Sequence, residues 1–126
     1  MVNKIVSGGQ TGVDQAALDT AIKFNLPIGG WCPKGGLDER SLNVLKFYPA
    51  MVEASTSIPD ERTKLNVRDS DGTLIIVPNW PLPETIKDGT KLTIDEAQRL
   101  NKPLLVISLL ACKLNNVILS HARNIN

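Results

Sequence analysis

The stretch SGGQTGVDQAALD, Ser7 to Asp19, decides the fold. It follows the short β-branched run Lys4-Ile5-Val6 and reads as strand, glycine turn and helix start. Val13, Ala16, Ala17, Ala21 and Ile22 recur at helical spacing and predict a helix from about Val13 to Phe24. Asn25 and Pro27 stop it. Such a unit is suited to anions, because unbonded amides point out of a helix start. Yet the stretch is neither G-x-G-x-x-G nor G-x-x-x-x-G-K-[ST]. It also places an acidic residue, Asp14, in the first helical turn.

Working outward, the alternation of strand and helix continues. Ile28 to Cys32 predicts a second strand, weakened by its two glycines. Between Pro33 and Tyr48 only a turn at Lys34-Gly35-Gly36 and a short helix around Leu42 and Leu45 are legible. Met51 to Ala54 predicts a third strand. Ser57, Pro59 and Asp60 mark a helix start, with the helix running to about Arg68. Asp69 to Gly72 is a turn, and Thr73 to Val77, TLIIV, is a buried strand. Pro78 to Gly89 carries three prolines and Trp80 and reads as a loop. Thr93-x-x-Glu96 is a capping-box pattern and predicts a helix over Ile94 to Leu100. Leu104 to Leu110 is the last central strand, and Leu114, Val117, Ile118 and Ala122 suggest a closing helix. Strands alternating with helices predict a single α/β domain over 1–126, a mostly parallel sheet with helices on both faces in three layers.

Composition narrows the function classes. The chain has 126 residues, 42% apolar but only 4% aromatic, so its core must be aliphatic. A net charge of +1 argues against the broad basic footprint of a nucleic-acid or anionic-membrane binder. Cys32 and Cys112 lie far apart without a CxxC pair, which fits a reducing cytosol. The single histidine, His121, leaves no HExxH-type zinc site and reads as a surface residue. The longest apolar run, Pro103 to Cys112, is about half the length of a membrane span. The chain enters its first strand at once, leaving no room for a signal peptide. The expectation is a cytoplasmic protein with neither nucleic acid nor membrane as partner.

In an open parallel sheet, ligands bind beyond the carboxyl ends of the strands. That rule selects Ser7 to Asp14, Lys34 to Gly36, the helix start around Arg62, and Gly89 to Thr93. The acidic turn Asp69 to Gly72 falls at the opposite end and reads as a helix-to-strand turn. Gly8 and Gly9 permit close approach of a ligand to the backbone, and Gln10 adds a neutral amide. Thr11-x-x-Asp14 also fits a plain helix cap, but a cap needs none of Gly8, Gly9, Gln10 and Gly12. Asp14 would repel a phosphate placed directly on it. The ligand expected here therefore carries both an anion and neutral donors. Arg62, a cation in a first helical turn, opposes the helix dipole unless an anion sits beside it. The alternative is an arginine reaching into solvent. Thr63 and Asn66 lie near the same face. Lys34 is a mobile cation over the same end, or simply a surface lysine. Gly89 and Thr90 with Thr93 form a second backbone-donor site, or only a capping box. Cys32, at a strand end, reads as a core residue rather than a soft ligand, and Trp80 as a cover over the core edge rather than a platform for a ring.

The motifs GGQTGVDQAALD, GGWCPKG, ERTKLNV, DSDGTLIIV and DGTKLT, in this order, resemble the molybdenum carrier family. The resemblance covers about Ser7 to Val106. It implies a Rossmann-like fold, binding of molybdenum cofactor, molybdate or another oxyanion, and a homo-oligomer. It also implies kinship with a wider group that includes the Lonely-guy phosphoribohydrolases and DNA-processing protein A, thought to bind nucleotides or their fragments. The matching positions are the turn Gly8, Gly9, Gln10, Thr11, Gly12 and Asp14, then Pro33, Lys34 and Gly35, then Arg62, Thr63 and Asn66, and last Gly89, Thr90 and Thr93. Two stretches depart from the family pattern. Leu37 to Phe47 replaces a more polar loop, and no glycine- and proline-bearing tail follows. The phosphoribohydrolases carry a glutamate where this chain has Thr93. No catalytic residue is therefore assigned, with Asp14 or Glu96 as the substitutes, and no metal-ligand set is expected. The expected function is a small-ligand carrier rather than an enzyme. A nucleotide-processing hydrolase and a non-catalytic nucleotide sensor are the alternatives.

Overall fold

A computed structural model describes residues 1–82 and 89–110. The chain forms two compact units, Met1–Asn66 and Val67–Asn126. The first unit holds β1 (Ile5–Val6), α1 (Val13–Lys23), β2 (Ile28–Gly29), β3 (Trp31–Cys32), α2 (Val44–Phe47), β4 (Val52–Glu53) and most of α3 (Pro59–Arg68). β1 pairs parallel with β2, Ile5 opposite Ile28. β3 pairs parallel with β4, Trp31 opposite Val52.

The single strand expected over Ile28 to Cys32 is instead broken at Gly30, whose φ is 127°. A β-carbon there would lie 2.8 Å from the Ser7 nitrogen and 3.0 Å from its carbonyl carbon. The Gly29 carbonyl still accepts from the Ser7 N–H at 3.1 Å, whereas the Gly30 carbonyl accepts from Val52 at 2.9 Å. The glycine thus hands the ladder from β1 to β4 exactly where β1 gives way to the turn that follows it.

Leu18, Cys32, Val44, Tyr48 and Met51 form the core of this unit, with Ile28 and Leu45 packed against it. Cys32 is fully buried there, as expected. Tyr48 brings a polar atom into the core, and its hydroxyl donates to Asp19 at 2.7 Å. Burial and that bond push its pKa up to about 12. Asn43 caps α2 by accepting from the Leu45 N–H at 3.0 Å. α3 starts at Pro59, whose missing N–H costs nothing in a first turn. Glu61 reaches back from that turn to the Ser55 N–H at 2.9 Å and to the Thr56 hydroxyl at 2.5 Å.

The second unit holds the end of α3, β5 (Thr73–Val77), α4 (Gly89–Arg99) and β6 (Leu104–Ser108). β5 and β6 pair parallel from Thr73–Leu104 to Val77–Ser108. Val67, Ile75, Val77, Ile94, Ala97, Leu104 and Val106 form its core, with Trp80, Leu82 and Leu100 against it. Asp69 to Gly72 does connect helix to strand. Lys102 Nζ closes the end of α3 by donating to the carbonyls of Val67, Arg68 and Ser70.

α4 departs from expectation. It begins at Gly89, so Thr93 lies a full turn inside it rather than at its start. The Thr93 hydroxyl donates back to the Gly89 carbonyl at 2.7 Å. Glu96 is buried and pairs with Arg99 at 2.9 Å, so no capping box forms. The strand expected to reach Leu110 ends at Ser108, although the Leu110 N–H donates to the Pro78 carbonyl at 3.1 Å. The expected closing helix, Cys112, His121 and the last part of the loop before Gly89 lie outside the described residues. What is described alternates helix and strand, and its strand pairs are parallel. Among the described residues no helix is long and apolar enough to cross a membrane.

Candidate functional site

The glycine turn leaves β1 through Ser7, which is buried. The Ser7 hydroxyl donates to the Asp14 carbonyl at 2.9 Å and accepts from the Gly9 N–H at 3.2 Å, clipping the two ends of the turn together. α1 then starts from Gly12, at φ 85°, with no side-chain cap. Thr11 therefore does not cap it, and the plain-cap alternative for Thr11-x-x-Asp14 fails. Asp14 Oδ2 instead reaches back to the Gln10 N–H at 3.2 Å. The Thr11 N–H and hydroxyl both donate to Glu39 Oε2 at 2.8 Å. The Gln10 side-chain amide donates to the Leu37 carbonyl at 3.4 Å.

Arg62 does not reach into solvent. It follows the acidic first turn of α3, Asp60 and Glu61, and its side chain is only 17% exposed. The guanidinium lies over Gly8. A β-carbon at Gly8 would sit 3.1 Å from Arg62 Cζ, closer still to Nη1, and 2.9 Å from Asp14 Oδ2. Arg62 Nη1 and Asp14 Oδ2 are 3.9 Å apart, an attraction across a gap rather than a hydrogen bond. Arg62 Nε is buried without a hydrogen-bond partner. A buried cationic donor left in that state costs on the order of 1–3 kcal/mol. Burial pushes the Asp14 carboxyl above its ordinary pKa, opposed by Arg62 and the Gln10 N–H and reinforced by the nearby Glu39 charge.

The loop after Gly36, whose apolar residues obscured it in the sequence, supports this turn. Asp38 is buried and accepts from the Arg40 N–H at 2.8 Å, the Leu42 N–H at 3.1 Å and the Arg40 side chain at 2.9 Å. Burial alone would raise its pKa. The bonds from Arg40, Gln15 and Leu42 outweigh burial and hold it at about 2. Gln15 Nε2 donates both to Asp38 Oδ2 at 2.9 Å and to the Gly9 carbonyl at 3.0 Å. Asp38 thus braces the glycine turn through Gln15. The signal available in the sequence was an aspartate able to bond the amides two and four residues on, the chemistry of an Asx turn.

The remaining predicted residues divide. The Lys34 N–H donates to the Thr56 carbonyl at 2.9 Å, and its side chain is exposed. The Gly35 N–H donates to Glu53 Oε1 at 2.8 Å. Thr63 is buried beside Arg62. Asn66 brackets the Trp31 backbone, accepting from its N–H at 2.8 Å and donating to its carbonyl at 3.1 Å, so its side chain braces β3. Gly89, Thr90 and Thr93 belong to the second unit, where Gly89 and Thr90 begin α4 and Thr93 lies one turn inside it. Among the described residues no group of three or more His, Cys, Asp and Glu is placed to hold a metal ion.

These pieces define an α/β protein in which a glycine turn runs from a strand into an uncapped helix, with an arginine laid over the turn. The family described as the circularly permutated YpsA SLOG family matches residues 5–124, and the chain belongs to that family. It is similar to a solved structure from Syntrophus aciditrophicus SB described as a "Putative molybdenum carrier protein". The two are 45% identical, over 91% of this chain and 72% of that one, with a TM-score of 0.77. No curated protein matches the chain. The resemblance carried by the five motifs is thereby borne out.

Proposed function

We propose that this protein is a small-ligand carrier whose glycine turn and Arg62 hold an oxyanion. The observation that carries the reading is Arg62 Nε, buried and unpartnered, in a guanidinium pressed against Gly8. An oxyanion that draws the guanidinium off Gly8 would give the orphan donor a partner, and the uncapped start of α1 would add backbone amides. Asp14 and Gln10 would read neutral donors and acceptors of the same ligand, and Lys34 would add charge from an exposed position. Gly89 and Thr90 are proposed as an anion-donor set of their own unit, with Thr93 in a supporting role because its hydroxyl donates to the Gly89 carbonyl.

Molybdate, or the phosphate of a molybdenum cofactor or nucleotide, fits this donor set. Cys32 is buried in the core, so molybdenum at the glycine turn would be held through its oxygens rather than by the Cys32 thiolate. The name of the similar solved protein supports the carrier reading. A three-layer Rossmann-like domain over 1–126, a cytoplasmic location and a homo-oligomer belong to the same proposal. Equilibrium dialysis against molybdate and inorganic phosphate tests it. Arg62→Ala should bind roughly 10- to 100-fold more weakly than the natural chain, the range of a lost charge-assisted bidentate contact. Equal binding by both chains removes the assignment.

One observation favours a second reading. A carboxyl raised by burial beside a guanidinium, as Asp14 is, suits acid–base chemistry and hence a nucleotide-processing hydrolase. Incubation with nucleoside monophosphates decides. Release of free base that stops in Asp14→Ala supports the hydrolase, and no release from the natural chain rejects it.

A further inference from the structure

Thr11 stands at the edge of the glycine turn and offers two converging donors, an amide and a hydroxyl. Both are engaged by one carboxylate oxygen of Glu39, 28 positions away in the chain. That contact is exposed. The neighbouring Asp38 already anchors the loop that carries Glu39 with hydrogen bonds from Gln15, from the Arg40 N–H, Nε and Nη2, and from Leu42. Glu39 is therefore not the sole tie of this loop, which keeps its Asp38 bonds when the Glu39 carboxylate leaves Thr11. We propose that Glu39 is a built-in competitor: its carboxylate occupies the seat on Thr11 that an incoming oxyanion takes, and the ligand binds by displacing it.

The proposal rests on the oxyanion reading of the glycine turn and deepens it. Two features favour exchange over addition. Asp14 and Glu39 together outweigh the single charge of Arg62, so an anion added beside both would meet net repulsion. Releasing Glu39 to solvent as the ligand enters keeps the local charge closer to balance. Gly12, adjacent to the seat, has open space on its β-carbon side, so the seat can be approached. A resident carboxylate also selects among ligands. A monocarboxylate offers Thr11 nothing that Glu39 lacks. A doubly charged tetrahedral oxyanion such as phosphate or molybdate brings more acceptor oxygens and more charge to the Thr11 donors than one carboxylate does. The ligand class is thus a dianionic oxyanion or phosphate monoester rather than a carboxylate.

The test is a calorimetric titration of inorganic phosphate, molybdate and acetate into the natural chain and into Glu39→Gln, at one ionic strength. Glu39→Gln should bind phosphate and molybdate about two- to fivefold more tightly, the range of an exposed charge contact, while acetate gains little over the natural chain. In the natural chain, the Glu39 side-chain carboxyl carbon, assigned by its loss in the variant, should move to its free-glutamate position in NMR spectra as phosphate saturates. That second measurement stands even if the variant folds poorly. Equal or weaker phosphate binding by Glu39→Gln, or a Glu39 signal unmoved at saturation, overturns the competitor role and leaves the oxyanion reading standing. Phosphate and molybdate binding neither chain overturns both.

Discussion

Gly8→Ala separates ligand binding from folding at the turn. The new β-carbon would lie 2.9 Å from Asp14 Oδ2 and 3.1 Å from Arg62 Cζ, with Nη1 nearer still. Non-bonded carbon contacts settle near 3.5–4.0 Å, so the guanidinium must withdraw by roughly 1 Å. The obstacle is the far end of a flexible side chain, not backbone, and Gly8 is not among the glycines with positive φ. The fold therefore yields cheaply. Alanine also restricts the unfolded chain, a gain of about 0.4–1 kcal/mol that offsets part of the strain. Net stability should change by no more than about 1 kcal/mol. Binding should suffer more. Losing one charge-assisted contact costs about 1.5–3 kcal/mol, which is roughly a 10- to 100-fold weaker affinity for phosphate or molybdate. Isothermal titration alongside thermal melting of the same samples reads both quantities. Unchanged affinity in a normally melting variant would refute the placement of Arg62 in the ligand's path. A variant that unfolds readily would show that Gly8 serves the fold instead.

Three further perturbations test the supporting structure. Asp38→Asn removes a carboxyl held at about 2 against an unfolded value of about 4. The folded pKa is the lower one, so its stabilisation is present above pH 4 and drains as pH falls towards 2. Urea midpoints of variant and natural chain should differ at pH 7 and converge near pH 2, and a gap of equal size at both would contradict this. Lys102→Met uncaps the end of α3 by removing donors to three carbonyls, and urea denaturation should show a loss of about 1–2 kcal/mol. Gly30→Ala drives a β-carbon into the Ser7 backbone at φ 127°. Circular dichroism should show a loss of about 3 kcal/mol or more, and a variant melting with the natural chain would refute the close approach.

Signals that are local in the sequence carried over into the structure. Thr73–Val77 is an uninterrupted apolar run and forms β5, and Pro59 marks the start of α3 as a proline at a first helical position should. Asp14 and Arg62 were legible as candidates because each is unusual in its own turn. The misses came from competition between local patterns and tertiary contacts. Thr93-x-x-Glu96 has the spacing of a cap, yet Glu96 is buried and turned to Arg99, and the helix begins a turn earlier. Ile28 to Cys32 reads as one strand because the approach of Ser7 to Gly30 leaves no trace in spacing. Asp38 and Glu39 are ordinary acidic residues in sequence. Their importance arises only when the chain brings them to Gln15 and Thr11, 23 and 28 positions away.

The most direct test is a crystal of the protein grown with molybdate, with the metal located by its anomalous scattering. The account predicts a molybdenum peak placed so that its oxo groups lie within hydrogen-bonding reach of the Arg62 guanidinium and the uncapped start of α1. A peak seated elsewhere, with the guanidinium still resting on Gly8 and its Nε still unpartnered, would contradict it.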